Sequence, residues 1–457
     1  MGSTPTHNRS PVVAIVGAGI AGLAAAYELT RRGRAVRVFE ASARAGGLIH
    51  TEHVDRFTIE AGPDSILNAK PAALALIREL GLDGALQRVR TEGAFVLKNG
   101  VLYPLPRPSF LGIPLTRDAL ARYELLSPEG RARMALEPTI PPRDTDADES
   151  VGAFFRRRFG DEAVDSIAQP LLGGIHAGDV DALSMRSLFP RLVETERQHG
   201  SVLPSAPDPA ANDDGAFRGF ASLRGGMSAL VDAVVAALPS GSITCNARVT
   251  SLRDLDCQCV ILALPAYAAA TLIEPIDQDA AALAARVPYV STVSVALAWP
   301  RAAVPHPLNG TGFVVARRDT DARITACTWV SSKWEGRAPD DCALLRAFIG
   351  GAHDPDAVDL ADDELIAIVR RDLRGVLGIT AAPQLARVHR WSRAGAQHVI
   401  GHLDRVAEIE RRLAPHRIAV AGSGFRAVGI PDCVADGRRA GAAADAWLAE
   451  AGTNLAC

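Results

Sequence analysis

The sequence predicts a multidomain α/β (α+β) chain. It opens with a parallel, strand–helix–strand unit, carries helices through its middle and reaches a second sheet farther on. Three observations support this. Val12–Val16 is a short continuous apolar run, as a strand buried on both faces should be, and glycines and a helical pattern from Ile20 to Arg32 follow it directly. Tyr289–Trp299 alternates in the manner of a strand of a different sheet. A length of 457 residues leaves room for about two or three domains.

The remaining elements follow in order. Gly33 stops the first helix, and Ala35–Glu40 reads as the second strand. Thr51 to Lys98 holds short strands and a helix around Pro71–Leu80. Gly100–Pro114, rich in Pro and Gly, reads as loop, and helices are expected across Asp118–Phe159 and Ala163–Pro170. Pro204–Gly215 is polar and proline-punctuated, a mobile loop rather than a linker. Gly225–Leu238 looks helical and Val260–Leu264 is a buried strand. Ile418–Ala421 is another apolar strand, and a helix runs from Pro431 to Glu450.

Composition excludes several classes. A hydrophobic share of 48% is too high for a disordered chain, and aromatics at 5% leave the core to aliphatic side chains. With 49 Lys+Arg against 52 Asp+Glu, the basic excess of a nucleic-acid binder is missing. Seven cysteines, an odd number, do not form a disulfide framework. Cys245, Cys257 and Cys259 lie close together but lack a CxxC pair or clustered His, so no metal centre is expected. The first ten residues lack an apolar core, and no run of about 18 apolar residues occurs, so neither a signal peptide nor a spanning helix is expected. The expectation is a reduced, cytoplasmic protein, with peripheral attachment to a membrane left open.

Gly17-Ala18-Gly19-Ile20-Ala21-Gly22 is G-x-G-x-x-G in the context that gives it meaning: after a strand, opening a helix, with Glu40 at the end of the next strand. Gly17 permits the tight turn, Gly19 lets the backbone approach a pyrophosphate, and Gly22 lets the helix pack closely on the strand. The helix N-terminus favours the anion, and Glu40 accepts from ribose hydroxyls while repelling a 2′-phosphate. The segment is therefore a Rossmann-like dinucleotide site. Arg44-Ala45-Gly46-Gly47 follows closely, with a glycine pair that can lie against the cofactor and an arginine that can reach a phosphate. Ala421-Gly422-Ser423-Gly424 precedes the last helix, whose positive end can face a flavin ring. No second strand–GxGxxG–helix unit is visible, so no separate NAD(P)H domain is expected and the electron acceptor is oxygen or a quinone.

Further blocks carry a resemblance: Gly46-Gly47-Leu48-Ile49, Glu60-Ala61-Gly62-Pro63-Asp64-Ser65, Lys70-Pro71, Gly112-Ile113-Pro114, Asp148-Glu149-Ser150, Gly173-Gly174-Ile175, Ala177-Gly178-Asp179, Gly225-Gly226-Met227 and, most distinctive, Val428-Gly429-Ile430-Pro431-Asp432-Cys433. The chain resembles the oxygen-dependent porphyrinogen oxidases of haem biosynthesis, FAD enzymes that oxidise protoporphyrinogen IX or coproporphyrinogen III within the amine oxidase and phytoene desaturase superfamily. The matches run from about Ile15 to Ala443. The resemblance implies FAD contacts at Gly17, Gly19, Ile20, Ala21 and Gly22, at Glu40, Ala41 and Arg44, and at Gly47 and Leu48. It implies others at Gly62, Pro63, Asp64 and Ser65, at Val249 beside the adenine, at Trp391 near the flavin, and at Gly422, Val428, Gly429 and Ile430. It also implies three regions. The FAD-binding domain is discontinuous, over residues 11–98, 216–280 and 391–457. A helical, membrane-binding-like domain with some substrate-domain strands covers 99–215, and a substrate sheet covers 281–390. Residues 1–10 are a flexible N-terminus.

Two positions depart from that family. His176 replaces an aromatic before Ala-Gly-Asp, and His398 stands where Pro-Gln-Tyr would place a tyrosine. A protonated histidine can pair with a carboxylate, so both are candidates for a more anionic substrate. Arg107 is a candidate for a propionate. The implied reaction moves hydride from a meso carbon of the porphyrinogen to the flavin, with oxygen as final acceptor. It relies on positioning rather than on a side-chain acid or base, so no catalytic residue is assigned. The alternatives are another flavin amine oxidase or desaturase, or a non-catalytic flavin- or porphyrin-binding carrier. The choice between the two porphyrinogens and the oligomeric state stay open.

Overall fold

The computed structural model describes residues 12–203 and 219–453. The N-terminal residues 1–10 and the loop Pro204–Gly215 lie outside the described residues.

Strand β1 (Val12–Val16) sits third in a five-stranded, fully parallel sheet. The order is Ile243–Thr244, β2 (Ala35–Phe39), β1, Cys259–Leu262 and Ile418–Val420. The strands come from three separate stretches of the chain. Helix α1 (Ile20–Arg31) packs on this sheet with Leu23 and Leu29 fully buried, worth about 1.5–3 kcal/mol each. The C-terminal helix Ile430–Thr453 lies against α1. The two axes come close because small residues face each other: a Cβ on Gly437 would stand 2.1 Å from the Ala21 carbonyl oxygen.

The second sheet has seven strands in the order Leu385–Ala396, Tyr289–Pro300, Cys342–Gly350, Ala326–Trp329, Gly312–Val315, Phe95–Lys98 and Val101–Pro104. Its core holds Trp299, Phe313 and Trp329 among mainly aliphatic side chains. The hairpin Phe95–Pro104 corrects two expectations. Gly100–Pro114 is not all loop, because it contains the strands Val101–Pro104, Ser109–Phe110 and Ile113–Pro114. The boundary drawn at residue 98 cuts this hairpin at its turn. Asn99 and Gly100 both have positive φ (52° and 76°), the two-residue turn that matches strand twist, so the hairpin forms locally and joins the second sheet as a unit. Likewise, the boundary at 390 falls inside the strand Leu385–Ala396.

The helical region packs against the second sheet, with Val96 and Ala316 in its core. It consists of several helices, as expected across Asp118–Phe159, and Pro138, Pro141 and Pro142 interrupt the stretch before Val151–Phe159. Val164–Gly173 is a wide π-helical segment containing Pro170. Phe154, Phe155 and Phe159 form its core, beside a fully buried Arg158–Glu137 ion pair.

Candidate flavin and substrate site

The glycine turn between β1 and α1 is set by contacts that leave no room for side chains. Gly17 has φ +104°, and a Cβ there would meet the Ala263 carbonyl oxygen at 2.3 Å. A Cβ on Gly22 would meet the Gly17 oxygen at 2.0 Å. Gly19 differs: a Cβ there would find nothing within 4 Å, so its open side faces free space. The N–H groups of Ala21 and Gly22, in the first turn of α1, have no hydrogen-bond partner among the described residues, while the Ile20 N–H faces the Gly46 carbonyl in the bridge between Gly19 and Gly46. Free N–H groups, a helix dipole and a bare Cα together make an anion cradle.

Glu40 closes one side of the cradle. Its Oε2 accepts from Ala18 N–H at 2.9 Å and its Oε1 from Ser42 N–H at 2.8 Å, which fixes the carboxylate and leaves lone pairs for hydroxyl donors. Ala41 is exposed at its side. The Ala247 N–H donates to the Glu40 carbonyl at 2.8 Å, which brings the segment carrying Val249 beside this acid. The Gly46–Gly47 loop is tied to the turn by Gly46 N–H donating to Ala18 O at 2.8 Å, and Leu48 beside it is 42% exposed. Arg44 corrects its expectation. Its guanidinium donates to the carbonyls of Ala45, Gly47 and Ile49, so it clamps its own loop instead of reaching outward.

The segment Gly62–Ser65 is braced from the second sheet. Arg346 donates to the carbonyls of Glu60 (2.6 Å) and Gly62 (2.8 Å), and Trp391 Nε1 donates to the Ala61 carbonyl at 2.8 Å. Gly62 packs so closely that a Cβ would stand 1.9 Å from the Leu48 oxygen, which joins this segment to the glycine loop. Asp64 accepts from Lys333 Nζ (3.0 Å), Trp334 Nε1 (3.2 Å) and Ser65 Oγ (2.7 Å). Burial alone would raise its pKa, but Lys333 and Arg346 more than offset that and hold the carboxyl well below the usual range.

At the C-terminal end, Gly422 sits over α1, its notional Cβ 3.6 Å from that of Ala21. Gly422 N–H donates to Asp436 Oδ2 at 2.8 Å, while Ser423 and Gly424 N–H have no partner among the described residues. Val428, Gly429 and Ile430 lead into the C-terminal helix, adding its free first N–H groups to the same edge. Lys70 crosses to this helix with a 2.6 Å ion pair to Asp432.

The three substrate candidates fare differently. Arg107 is exposed and paired with Glu92. His176 packs edge-on to Phe189; burial first, then His398 and Lys70, bring its pKa down to about 3, so it is neutral at ordinary pH. His398 is buried, bonded to Ser187 and to the Ser423 carbonyl, and burial lowers its pKa too. The expectation of protonated histidines facing carboxylates is therefore corrected, because desolvation disfavours the charged ring at both positions.

The family model for flavin containing amine oxidoreductases matches residues 20–444. The chain belongs to that family. The coproporphyrinogen III oxidase of Bacillus subtilis is 36% identical, over 94% of this chain and 96% of that one. The enzyme of the same name from Staphylococcus aureus is 33% identical, over 93% and 97%. A crystal structure from Exiguobacterium sp. 255-15, described as a protoporphyrinogen oxidase, has a TM-score of 0.85 at 30% identity and covers 98% of this chain and 100% of that one.

The cofactor of this flavin oxidoreductase is FAD, and the residues fit it: a bare anion cradle at α1, a fixed carboxylate 18 residues past Gly22, and unpartnered N–H groups on the C-terminal turn. Sequence reasoning missed Arg346, His402 and Arg393. Arg393 lies 4.0 Å over the Tyr267 ring two residues after Trp391. Its signal was a basic residue two positions after a singled-out tryptophan; Arg346 gave none without the tertiary fold. No helix among the described residues is long and apolar enough to cross a membrane.

Proposed function

We propose that this chain is an oxygen-dependent FAD oxidase of haem biosynthesis whose substrate is coproporphyrinogen III. The observation that carries the choice is the near-full-length similarity to two enzymes named coproporphyrinogen III oxidase. The Exiguobacterium structure favours protoporphyrinogen IX as the second reading. FAD held by the residues of this site would supply the two-electron acceptor for hydride from a meso carbon, with oxygen as the final acceptor. Removing six electrons from the macrocycle consumes three O2 and releases three H2O2. The chain's own part is positional. We assign the FAD contacts to the glycine turn, Glu40, Ala41, Gly47–Leu48, Gly62–Ser65, Val249, Trp391, Gly422 and Val428–Ile430. In this assignment the free N–H groups of α1 bind the pyrophosphate, and Arg346, Trp391 and Asp64 hold the Gly62–Ser65 segment in place. No acid or base is assigned, because hydride removal from an activated meso carbon depends on orientation.

We further assign the protein to the cytoplasm, with the helical region as a face for peripheral membrane contact. Exposed Leu136 and Ile175 support that face, and flotation with liposomes tests it. The deciding experiment mixes the purified holoenzyme with each porphyrinogen in air. Porphyrin fluorescence rising above autoxidation, with three peroxides per porphyrin and the larger kcat/KM for coproporphyrinogen III, is expected. A larger value for protoporphyrinogen IX overturns the substrate choice. No acceleration with either, and no flavin reduction without oxygen, overturns the oxidase reading in favour of a carrier.

A further inference from the structure

His398 and His402 stack where three parts of the chain meet. Their ring centroids are 3.8 Å apart, the planes are 15° from parallel, and both side chains are buried. Each ring touches the C-terminal glycine turn through one nitrogen. His398 Nε2 is 2.9 Å from the Ser423 carbonyl oxygen, and His402 Nε2 is 2.6 Å from that of Phe425. A carbonyl only accepts, so each Nε2 carries the hydrogen and each neutral ring leaves Nδ1 as an acceptor. For His398 that acceptor is used: Ser187 Oγ lies 2.9 Å from Nδ1 and donates to it. Ser187 belongs to the short helix Met185–Leu188 of the helical region, whose cap Ser184 donates its hydroxyl to Asp148 and its N–H to the His398 carbonyl.

The connection therefore runs from the helical region, through one imidazole, to the turn at the FAD site. An imidazole has nitrogens on two edges and can serve both partners at once; a phenol, with a single polar atom, cannot bridge them in the same way. The effect on the turn follows from peptide geometry. The Ser423 carbonyl and the Gly424 N–H belong to one planar trans unit, so they point in opposite directions. Fixing the carbonyl toward His398 fixes the N–H away from it, and that N–H has no partner among the described residues. Gly424 cannot adjust around a side chain either, because a Cβ there would stand 2.4 Å from Tyr289 Oη.

We propose that His398, supported by its stack on His402, is a positioning residue of the flavin site: it orients the Ser423–Gly424 peptide so that the free Gly424 N–H meets an acceptor on the bound flavin ring. This rests on the flavin reading above and adds a residue whose sequence signal pointed to the substrate instead. His398→Phe keeps a flat ring for the stack and removes both hydrogen-bonding nitrogens; His398→Gln keeps an amide donor. Native and variant apoproteins are titrated with FAD by fluorescence quenching, and the midpoint potential and visible spectrum of the bound flavin are recorded. Loss of one oriented hydrogen bond predicts an FAD Kd about tenfold higher for His398→Phe. A shifted potential and absorption band should accompany it, with His398→Gln recovering most of the loss. If His398→Phe melts earlier but binds FAD with native Kd, potential and spectrum, the residue is merely structural and the proposal falls. Should that variant fail to fold, Ser187→Ala removes only the support of Nδ1. A two- to fourfold rise in Kd with a potential shift in the same direction is expected, and native values overturn the proposal. Failure of the native apoprotein to take up FAD would instead sink the flavin reading itself.

Discussion

Two glycines three residues apart separate what the cofactor needs from what the fold needs. Gly19 has φ −66° and ψ 170°, an extended backbone that alanine adopts freely, and an added Cβ finds nothing within 4 Å. Gly19→Ala should therefore leave the apoprotein as stable as the native chain, or more stable by about 0.4–1 kcal/mol because the unfolded chain is less free. The new methyl group projects into the open side of the anion cradle. A phosphate held off by it loses charge-assisted hydrogen bonds worth about 1.5–3 kcal/mol each, so losing two costs about 3–6 kcal/mol, or roughly 10²- to 10⁴-fold in FAD affinity. Gly22→Ala works the other way. Its Cβ would lie 2.0 Å from the Gly17 oxygen and 3.1 Å from the Ala263 Cβ, so turn and helix must part by about 1 Å or more to reach ordinary contact. Overpacking of that kind costs about 1–3 kcal/mol or more, paid in the apoprotein. Thermal melting of the two apoproteins and FAD titration of both separate the effects. A Gly19→Ala apoprotein that melts well below native while binding FAD normally would refute the reasoning.

Glu40→Ala should weaken FAD at least tenfold and leave the Ala18 and Ser42 N–H groups unpaired, while Glu40→Gln, which keeps an oxygen acceptor, loses less; FAD titration measures both. Asp64→Ala strands the cations of Lys333 and Arg346 and should cost about 3–5 kcal/mol, read as a lower urea midpoint. The Asp64 carboxyl titrates below its unfolded value, so its contribution is complete above about pH 4 and fades as pH falls toward the depressed native value. The stability gap between native protein and Asp64→Asn should therefore shrink in acid; a gap that widens would contradict the ion pairing. His176, with its pKa brought down to about 3, is neutral from pH 5 to 8, so native and His176→Gln rate profiles should have the same shape over that range. A step near pH 6.5 present only in the native profile would show that the ring is solvated after all.

The parts of the site legible in the sequence are those whose physics is local. Gly17 and Gly22 are required by the turn they build, and Glu40 follows from the strand that ends beside it. The hairpin at Asn99-Gly100 was also legible, but the Pro and Gly count of the stretch after it hid a strand of four residues. What could not be read depends on distance along the chain. Arg346 braces Gly62 across 284 residues, and His398 meets Ser187 across 211. Protonation was misread for the same reason: histidine charge depends on burial, and burial belongs to the tertiary fold.

One division of labour runs through the site. The side chains nominated as cofactor contacts or placed nearest them are largely engaged with the protein: Arg44 on its own loop carbonyls, Asp64 on Lys333 and Trp334, Trp391 on the Ala61 carbonyl, His398 on the Ser423 carbonyl. The groups left free are backbone N–H groups beside glycines. Side chains hold the backbone, and the backbone is what remains to hold FAD. On this logic, removing one such side-chain bond should weaken FAD modestly, whereas adding a methyl group to the cradle should nearly abolish binding. Trp391→Phe is the sharpest case, because it keeps a large ring and loses only the Nε1–H. The Ala61 carbonyl still accepts from Ser294 Oγ at 3.1 Å, so no buried oxygen is left bare. The cost should fall near the value of a single hydrogen bond, about 0.5–1.5 kcal/mol, or roughly two- to tenfold in FAD Kd. If Trp391→Phe loses FAD as completely as Gly19→Ala, the indole contributes far more to binding than its single hydrogen bond, and the division of labour fails at that residue.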